Sequence, residues 1–161
     1  MKILVLSDSH SALSFMRLCI GSIKPDAVIH LGDYYDDGAA MAEEYPHLRF
    51  YLVPGNCDRY RGAFQSPETL IEKVGGVSLM MTHGHRQGVK QGLQKLIWDA
   101  ASAKVQGVLF GHTHSSYCSR EGELWVVNPG SCGYYGGSAA VMEVKDGKIS
   151  DCRIIRQSDL E

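Results

Sequence analysis

The chain has 161 residues, 44% of them hydrophobic and 21% charged, with a formal net charge of −2. That length allows one domain, residues 1–161, with a substantial core. The near-neutral balance gives no electrostatic footprint for a long nucleic acid or an anionic membrane, but leaves room for a small phosphorylated substrate, because bound metal ions reverse a local field.

Residues 2–6 form a continuous apolar run, the pattern of a strand buried on both faces. Asp8 and His10 follow at once. Ser11 is the expected N-cap of a helix in which Leu13, Met16, Ile20 and Ile23 recur at helical spacing. A second strand over 27–31 ends in Gly32-Asp33, and a short helix is expected from Gly38 to Glu44. A third strand over 49–53 runs into Gly55-Asn56-Cys57-Asp58. Residues 58–70 read as a surface loop. After a Gly75-Gly76 turn, a fourth strand over 77–81 runs into Thr82-His83-Gly84-His85. A helix is expected over 88–104, with Val89, Leu93, Leu96, Ile97 and Ala100 as its apolar stripe. A fifth strand over 105–110 runs into Gly111-His112-Thr113-His114. The rest reads as two hairpins, 117–127 and 139–155, the second turning at Asp146-Gly147. This predicts an α/β architecture of two packed sheets with helices outside.

Open α/β sheets place ligands beyond the carboxyl ends of their strands. Here five apolar runs each end within a few residues of Asp, Asn or His. Core packing needs no such residue there. Oxygen and imidazole donors without cysteine suit Mn²⁺, Fe, Zn²⁺, Co²⁺ or Ni²⁺. Asp8, His10, Asp33, Asn56, His83, His112 and His114 exceed what one tetrahedral ion uses. Two ions sharing a carboxylate would use them all. Such a pair, about 3.5–4 Å apart, can hold a bridging hydroxide and clamp the attacking and leaving oxygens of an in-line displacement at phosphorus.

The ordered motifs D-x-H (Asp8, His10), G-D (Asp33), G-N-x-D (Asn56, Asp58), a single His (His83) and G-H-x-H (His112, His114) resemble the calcineurin-like metallophosphoesterases. Thr82-His83-Gly84-His85, Asn128-Pro129-Gly130-Ser131 and the short length are most similar to the small bacterial and archaeal phosphodiesterases of that family. The resemblance implies a four-layer sandwich of two mixed β-sheets flanked by α-helices. It also implies two divalent ions, with manganese the first choice. Asp8, His10, Asp33 and His114 would hold one and Asn56, His83 and His112 the other, with Asp33 bridging and Asp58 orienting a ligand. Asn56, Cys57, Asp58 and His83 are the residues implied nearest the chemistry. Many family members carry His where Cys57 stands, to assist the leaving group. A thiol is neutral and a weak donor, so a strong general acid is expected to be missing there.

Plainer readings fit other residues. His30 and His47 read as ordinary satisfied or surface histidines, and His85 as either supporting a ligand or facing substrate. Asp36 and Asp37 read as a cap and a solvated charge. Arg61 reads as a surface charge, while Arg59 and Arg86 adjoin the motifs and are candidates for a substrate phosphate. The tyrosine pairs Tyr34-Tyr35 and Tyr134-Tyr135 read as partly buried residues, with a pocket wall or interface as the other reading. The five scattered cysteines, with no C-x-x-C pair, and the absence of a signal-type apolar segment predict reduced thiols in a cytoplasmic protein with no membrane association. The expected partner is a small phosphodiester. A phosphomonoesterase, a nuclease or a scaffold that keeps the fold are the rival functions, and a homo-oligomer is left open.

Overall fold

The computed structural model describes residues 1–60 and 66–161. In chain order the elements are β1 (Lys2–Leu6), α1 (Leu13–Ile23), β2 (Ala27–His30), α2 (Tyr35–Glu44), β3 (Arg49–Leu52), β4 (Thr69–Val74), β5 (Val77–Thr82), α3 (Gln94–Ser102), β6 (Gly107–Leu109), β7 (Tyr117–Glu121), β8 (Leu124–Asn128), β9 (Ser138–Lys145) and β10 (Lys148–Arg156). They form two five-stranded sheets, in the orders β10-β9-β1-β2-β3 and β4-β5-β6-β8-β7. Both are mixed. In the first, β1, β2 and β3 run parallel, β9 runs antiparallel to β1, and β10 runs antiparallel to β9. In the second, β5, β6 and β8 run parallel, with β4 and β7 antiparallel at the edges.

The two-residue period of a strand sorts β1 onto two cores. Ile3 and Val5 face the other sheet and pack with Ile29, Leu31, Leu79, Met81, Leu109 and Val127. Leu4 and Leu6 face outward, against Phe15, Met16 and Ile20 of α1 and Met41 of α2. On the far side, Met80, Val108 and Val126 pack against Leu96 and Ala100 of α3. The layers are therefore helices, sheet, sheet, helix. Among the described residues no helix is long and apolar enough to cross a membrane.

Four local expectations are corrected. Ser11 is not the N-cap of α1. Its backbone is left-handed at φ 71, its N–H goes to Asp37 Oδ2 at 2.7 Å, and Ala12 stands at the cap without a side-chain bond. Helix α2 starts at Tyr35 rather than Gly38. The helix expected over 88–104 is only α3, because Gly88 (φ 62) and Gly92 (φ 149) hold backbone that a helix does not use. Val89 is still buried, outside the helix, against Gly84. Finally, β4 is a strand at the sheet edge, joined to β5 through the Gly75-Gly76 turn. The loop expected over 58–70 falls partly outside the described residues, as do the side chain of Arg59 and the whole of Arg61.

Candidate metal centre

The carboxyl ends of β1 and β2 and of β5 and β6 meet at one edge of the sandwich. Backbone bonds carry each parallel ladder past its strands. Asp8 N–H reaches Gly32 O at 2.9 Å, Ser9 N–H reaches Asp33 O at 2.8 Å, and Gly111 N–H reaches His83 O at 2.9 Å. Two further bonds join the sheets. His112 N–H donates to Asp8 Oδ2 at 3.1 Å, and His83 Nδ1–H donates to Leu31 O at 2.7 Å. The motif residues are thus fixed mainly by backbone.

Two sets of donors result. The ligand atoms of Asp8, His10 and His114 lie within 4.8 Å of one another, and so do those of Asp33, His83 and His112. The sets adjoin through His83, whose Nε2 is 3.5 Å from Asp33 Oδ2 and 3.8 Å from Asp8 Oδ1. His114 Nε2 is 3.2 Å from Asp8 Oδ1, and His112 Nδ1 is 3.2 Å from His83 Nε2. Asn56 opens a short 3-10 turn, Asn56–Tyr60, and is exposed. Its amide reaches Cys57 Sγ at 3.7 Å, with no described contact to His83 or His112.

Several observations fit divalent cations here. Asp8 Oδ1 and His10 Nε2 are buried without a hydrogen-bond partner among the described residues, a costly state unless an ion takes them. The bond from His83 Nδ1 to Leu31 O leaves the Nε2 lone pair facing the carboxylates, the tautomer a ligand needs. Asp8, His10, Asp33, His112 and His114 all have left-handed backbones, with φ between 44 and 71. Strain of this kind in non-glycine residues persists where the surroundings over-determine it, as at functional sites. A Cβ on Gly55 would strike the Asp33 carboxylate, and one on Gly111 would strike Ser7 and the Asp8 carboxylate. Both glycines are needed for that close approach.

The electrostatics show what a cation would relieve. Burial drives the Asp8 carboxyl upward, against opposing pulls from His83 and a Ser7 hydroxyl bond. Burial also resists charge on Asp33, but bonds and charge from His83 and the Cys57 N–H outweigh it and hold the carboxyl well below its usual range. On His83 burial opposes a proton, yet Asp33 and Asp8 raise its affinity for one. His112 is lowered to about 4 by burial and by His83. The anionic pair thus draws a positive charge to the point between the two sets.

Asp58 is fully buried and accepts three backbone N–H groups, from Asp33, Tyr35 and Gly55. It shapes the Asp33 turn. Cys57 donates its N–H to Asp33 Oδ1 at 2.9 Å, and its thiol is pushed up to about 11 by burial and by Asp33. His85 lies beside the second set, 5.6 Å from His83 ring to ring, and its Nδ1 has no partner among the described residues. Arg86 is paired with Glu68 at 3.0 Å, so it is not a free phosphate contact. His47 is exposed and His30 is buried and hydrogen-bonded.

Other supporting residues stand outside the five candidate-ligand motifs. Ser7 binds Asp8 Oδ2 at 2.6 Å and Ser131 binds Asp8 O at 2.7 Å. Buried Asn128 ties Gly111 O to Thr113 Oγ1. Asp37 is not the expected solvated charge. It is buried, accepting Ser9 Oγ–H and Ser11 N–H and so bracing the Asp8–His10 loop. Tyr34 and Tyr134 flank His10, with ring centres 4.9 and 5.0 Å away, and Tyr134 stacks on His114. For Ser7, Asp37, Tyr34 and Tyr134 the sequence signal was only adjacency to a motif, whereas Asn128 and Ser131 belong to the Asn128-Pro129-Gly130-Ser131 segment.

The sequence profile of the calcineurin-like phosphoesterase superfamily domain matches residues 1–147. A probable metallophosphoesterase of Bacillus subtilis, YsnB, is 30% identical over 134 residues, 81% of this chain and 75% of that protein. The phosphodiesterase MJ0936 of Methanocaldococcus jannaschii is 27% identical over 155 residues, 85% of this chain and 88% of that one. A crystal structure of a conserved predicted phosphoesterase from Streptococcus pneumoniae superposes with a TM-score of 0.72 at 25% identity, covering 97% of each chain.

Proposed function

This chain belongs to the calcineurin-like phosphoesterase superfamily, and from that membership we propose that it is a dinuclear, divalent-metal-dependent phosphodiesterase acting on a small diester. The observation that carries the two-ion reading is the pair of adjoining donor sets, Asp8/His10/His114 and Asp33/His83/His112. The diester reading is supported by likeness to the M. jannaschii phosphodiesterase. The oxygen and imidazole donors suit Mn²⁺, Fe, Zn²⁺, Co²⁺ or Ni²⁺, and the family resemblance makes Mn²⁺ the first ion to test. Five free cysteines agree with a reducing, cytoplasmic setting.

Asp8, His10 and His114 would hold one ion, and His83 and His112 the other, with Asp33 reaching both and Asn56 completing the second set. When bound, the ions lower the pKa of coordinated water and neutralise charge on the phosphoryl oxygens. The protein's part is orientation. Leu31 O sets the His83 tautomer, Asp58 sets the Asp33 backbone, and Ser7 with the His112 N–H anchors Asp8. The Cys57 thiol stays protonated near neutrality and offers only a weak donor to a departing oxygen. Good leaving groups should therefore be favoured.

Metal counting tests this directly. The protein is loaded with Mn²⁺, desalted and analysed by plasma mass spectrometry. Two ions per chain are expected, and fewer than one in Asp33→Asn with an unchanged circular dichroism spectrum. One ion in the wild type, or two retained by Asp33→Asn, would overturn the dinuclear reading.

A further inference from the structure

Beside His114 lies an open pocket of about 290 Å³, lined by His114, Ser115, Ser116, Tyr135, Ser138 and Arg156. Two strand ends build it. Ser138 opens β9 and Arg156 closes β10, and they are register partners. The turn after β6 brings His114 to Ser116, and the β8–β9 connection brings Tyr135. The lining is hydroxyl-rich, with one fixed cation. All of β10, Arg156 included, lies outside the 1–147 match, while the other five lining residues lie inside it, so that match says nothing of Arg156.

Arg156 differs from the other arginines whose side chains are described. Arg17, Arg86 and Arg153 are paired with carboxylates. Arg49 and Arg120 lie over the rings of Tyr51 and Trp125. Among the described residues the Arg156 guanidinium has no such partner. Nearby Asp159 spends a carboxylate oxygen on the Arg156 backbone N–H, at 2.7 Å. Ser138 Oγ–H is committed to Pro129 O at 2.7 Å, while the side-chain hydroxyls of Ser115, Ser116 and Tyr135 make no described hydrogen bond. A guanidinium and several uncommitted hydroxyls are the donors that recognise a carboxylate or phosphate.

We propose that this pocket receives a second anionic group carried on an arm of the substrate, with Arg156 as its pairing cation. The proposal rests on the phosphodiesterase reading. One side of the pocket is His114, a candidate ligand of the first ion, so a diester whose phosphorus sits at the metal centre can extend an arm into it. The anion would then select the substrate and fix which ester oxygen faces Cys57. Arg156 acts in specificity and touches no reacting atom.

The test uses three p-nitrophenyl diesters whose second arm is butyl, 3-carboxypropyl or 3-phosphonopropyl, with Mn²⁺-loaded wild type and Arg156→Gln. In the wild type at least one anionic arm should raise kcat/KM by about ten- to a hundredfold over butyl. The larger gain identifies the anion. Arg156→Gln should lose that preference and keep its rate on the butyl diester. Equal kcat/KM for all three in the wild type, or a preference that survives in Arg156→Gln, would overturn the proposal while leaving the phosphodiesterase reading intact. Cleavage of none of them would count against that reading instead. The pocket is then decided by titrating inorganic phosphate into metal-free protein. Amide resonance shifts at Ser115, Ser116 and Tyr135 that vanish in Arg156→Gln support it, and their absence or persistence in the variant refutes it.

Discussion

The Asp58 carboxylate receives the backbone N–H of Asp33 at 2.9 Å, and through this bond a residue away from the donor sets positions one of the two carboxylates within them. The same group takes the N–H of Gly55 and of Tyr35 at 2.7 and 2.8 Å. Asp58→Asn preserves the shape but turns an amide N–H₂ toward backbone donors. It should cost roughly 2–4 kcal/mol of stability and weaken metal binding about 10- to 100-fold. Urea unfolding and a Mn²⁺ titration measure the two effects. Unchanged Mn²⁺ affinity would show that Asp33 is held without Asp58.

Cys57 leads to a prediction about leaving groups. Its thiol, pushed up to about 11 by burial and the neighbouring Asp33, is neutral at working pH. Rates on a series of aryl and alkyl diesters should fall steeply as the leaving-group pKa rises. Cys57→His should flatten that dependence, changing nitrophenyl diesters little and speeding poor leaving groups by about 100-fold. The slope of log rate against leaving-group pKa reads this out, once chemistry is shown to limit turnover. Equal slopes in the two proteins would remove position 57 from leaving-group assistance.

His30 makes stability depend on pH. It is fully buried, its Nδ1 accepts the Gly32 N–H at 3.2 Å, and its Nε2–H meets Ser9 Oγ at 2.8 Å, while Ser9 donates onward to Asp37. Burial lowers its pKa to about 4, with Asp37 and Asp58 opposing only in part. The unfolded chain therefore takes up a proton near pH 6.5 that the folded chain refuses until about pH 4. The contribution of His30 is complete above pH 6.5 and is lost as the pH falls toward 4. Between pH 7 and 5 metal-free wild type should lose about 2 kcal/mol more than His30→Gln, which has no such group. Denaturant unfolding at the two pH values checks this, and equal losses would contradict it.

The sequence made the candidate ligands visible because each follows a short apolar run, and parallel strands deliver such residues to one edge. It did not show that Asp8, His10, Asp33, His112 and His114 adopt left-handed backbones. That conformation comes from long-range bonds such as His112 N–H to Asp8 and Ser131 Oγ–H to Asp8 O. Asp37 read as a solvated charge because its partners, Ser9 and Ser11, are far away in sequence. Strand β4 escaped notice because an edge strand is half exposed. Ile71 is 52% exposed, and Glu72 and Lys73 break the apolar alternation. Gly88 and Gly92 carried a signal in plain view, since two glycines within five residues argue against a helix start, but the stripe from Val89 to Ala100 masked it. The pairing of Arg156 with Ser138 depends on hairpin register, so no local pattern marks it.

Hydrolysis of bis(p-nitrophenyl) phosphate by metal-stripped protein, with and without added Mn²⁺ and beside the monoester p-nitrophenyl phosphate, bears most directly on metal-dependent phosphodiesterase action. Cleavage of the diester that appears only with Mn²⁺ and exceeds monoester cleavage is the expected result. Diester cleavage that persists after metal removal, preferential cleavage of the monoester, or no cleavage of either with Mn²⁺, Ni²⁺, Co²⁺, Zn²⁺ or Fe²⁺ would contradict it.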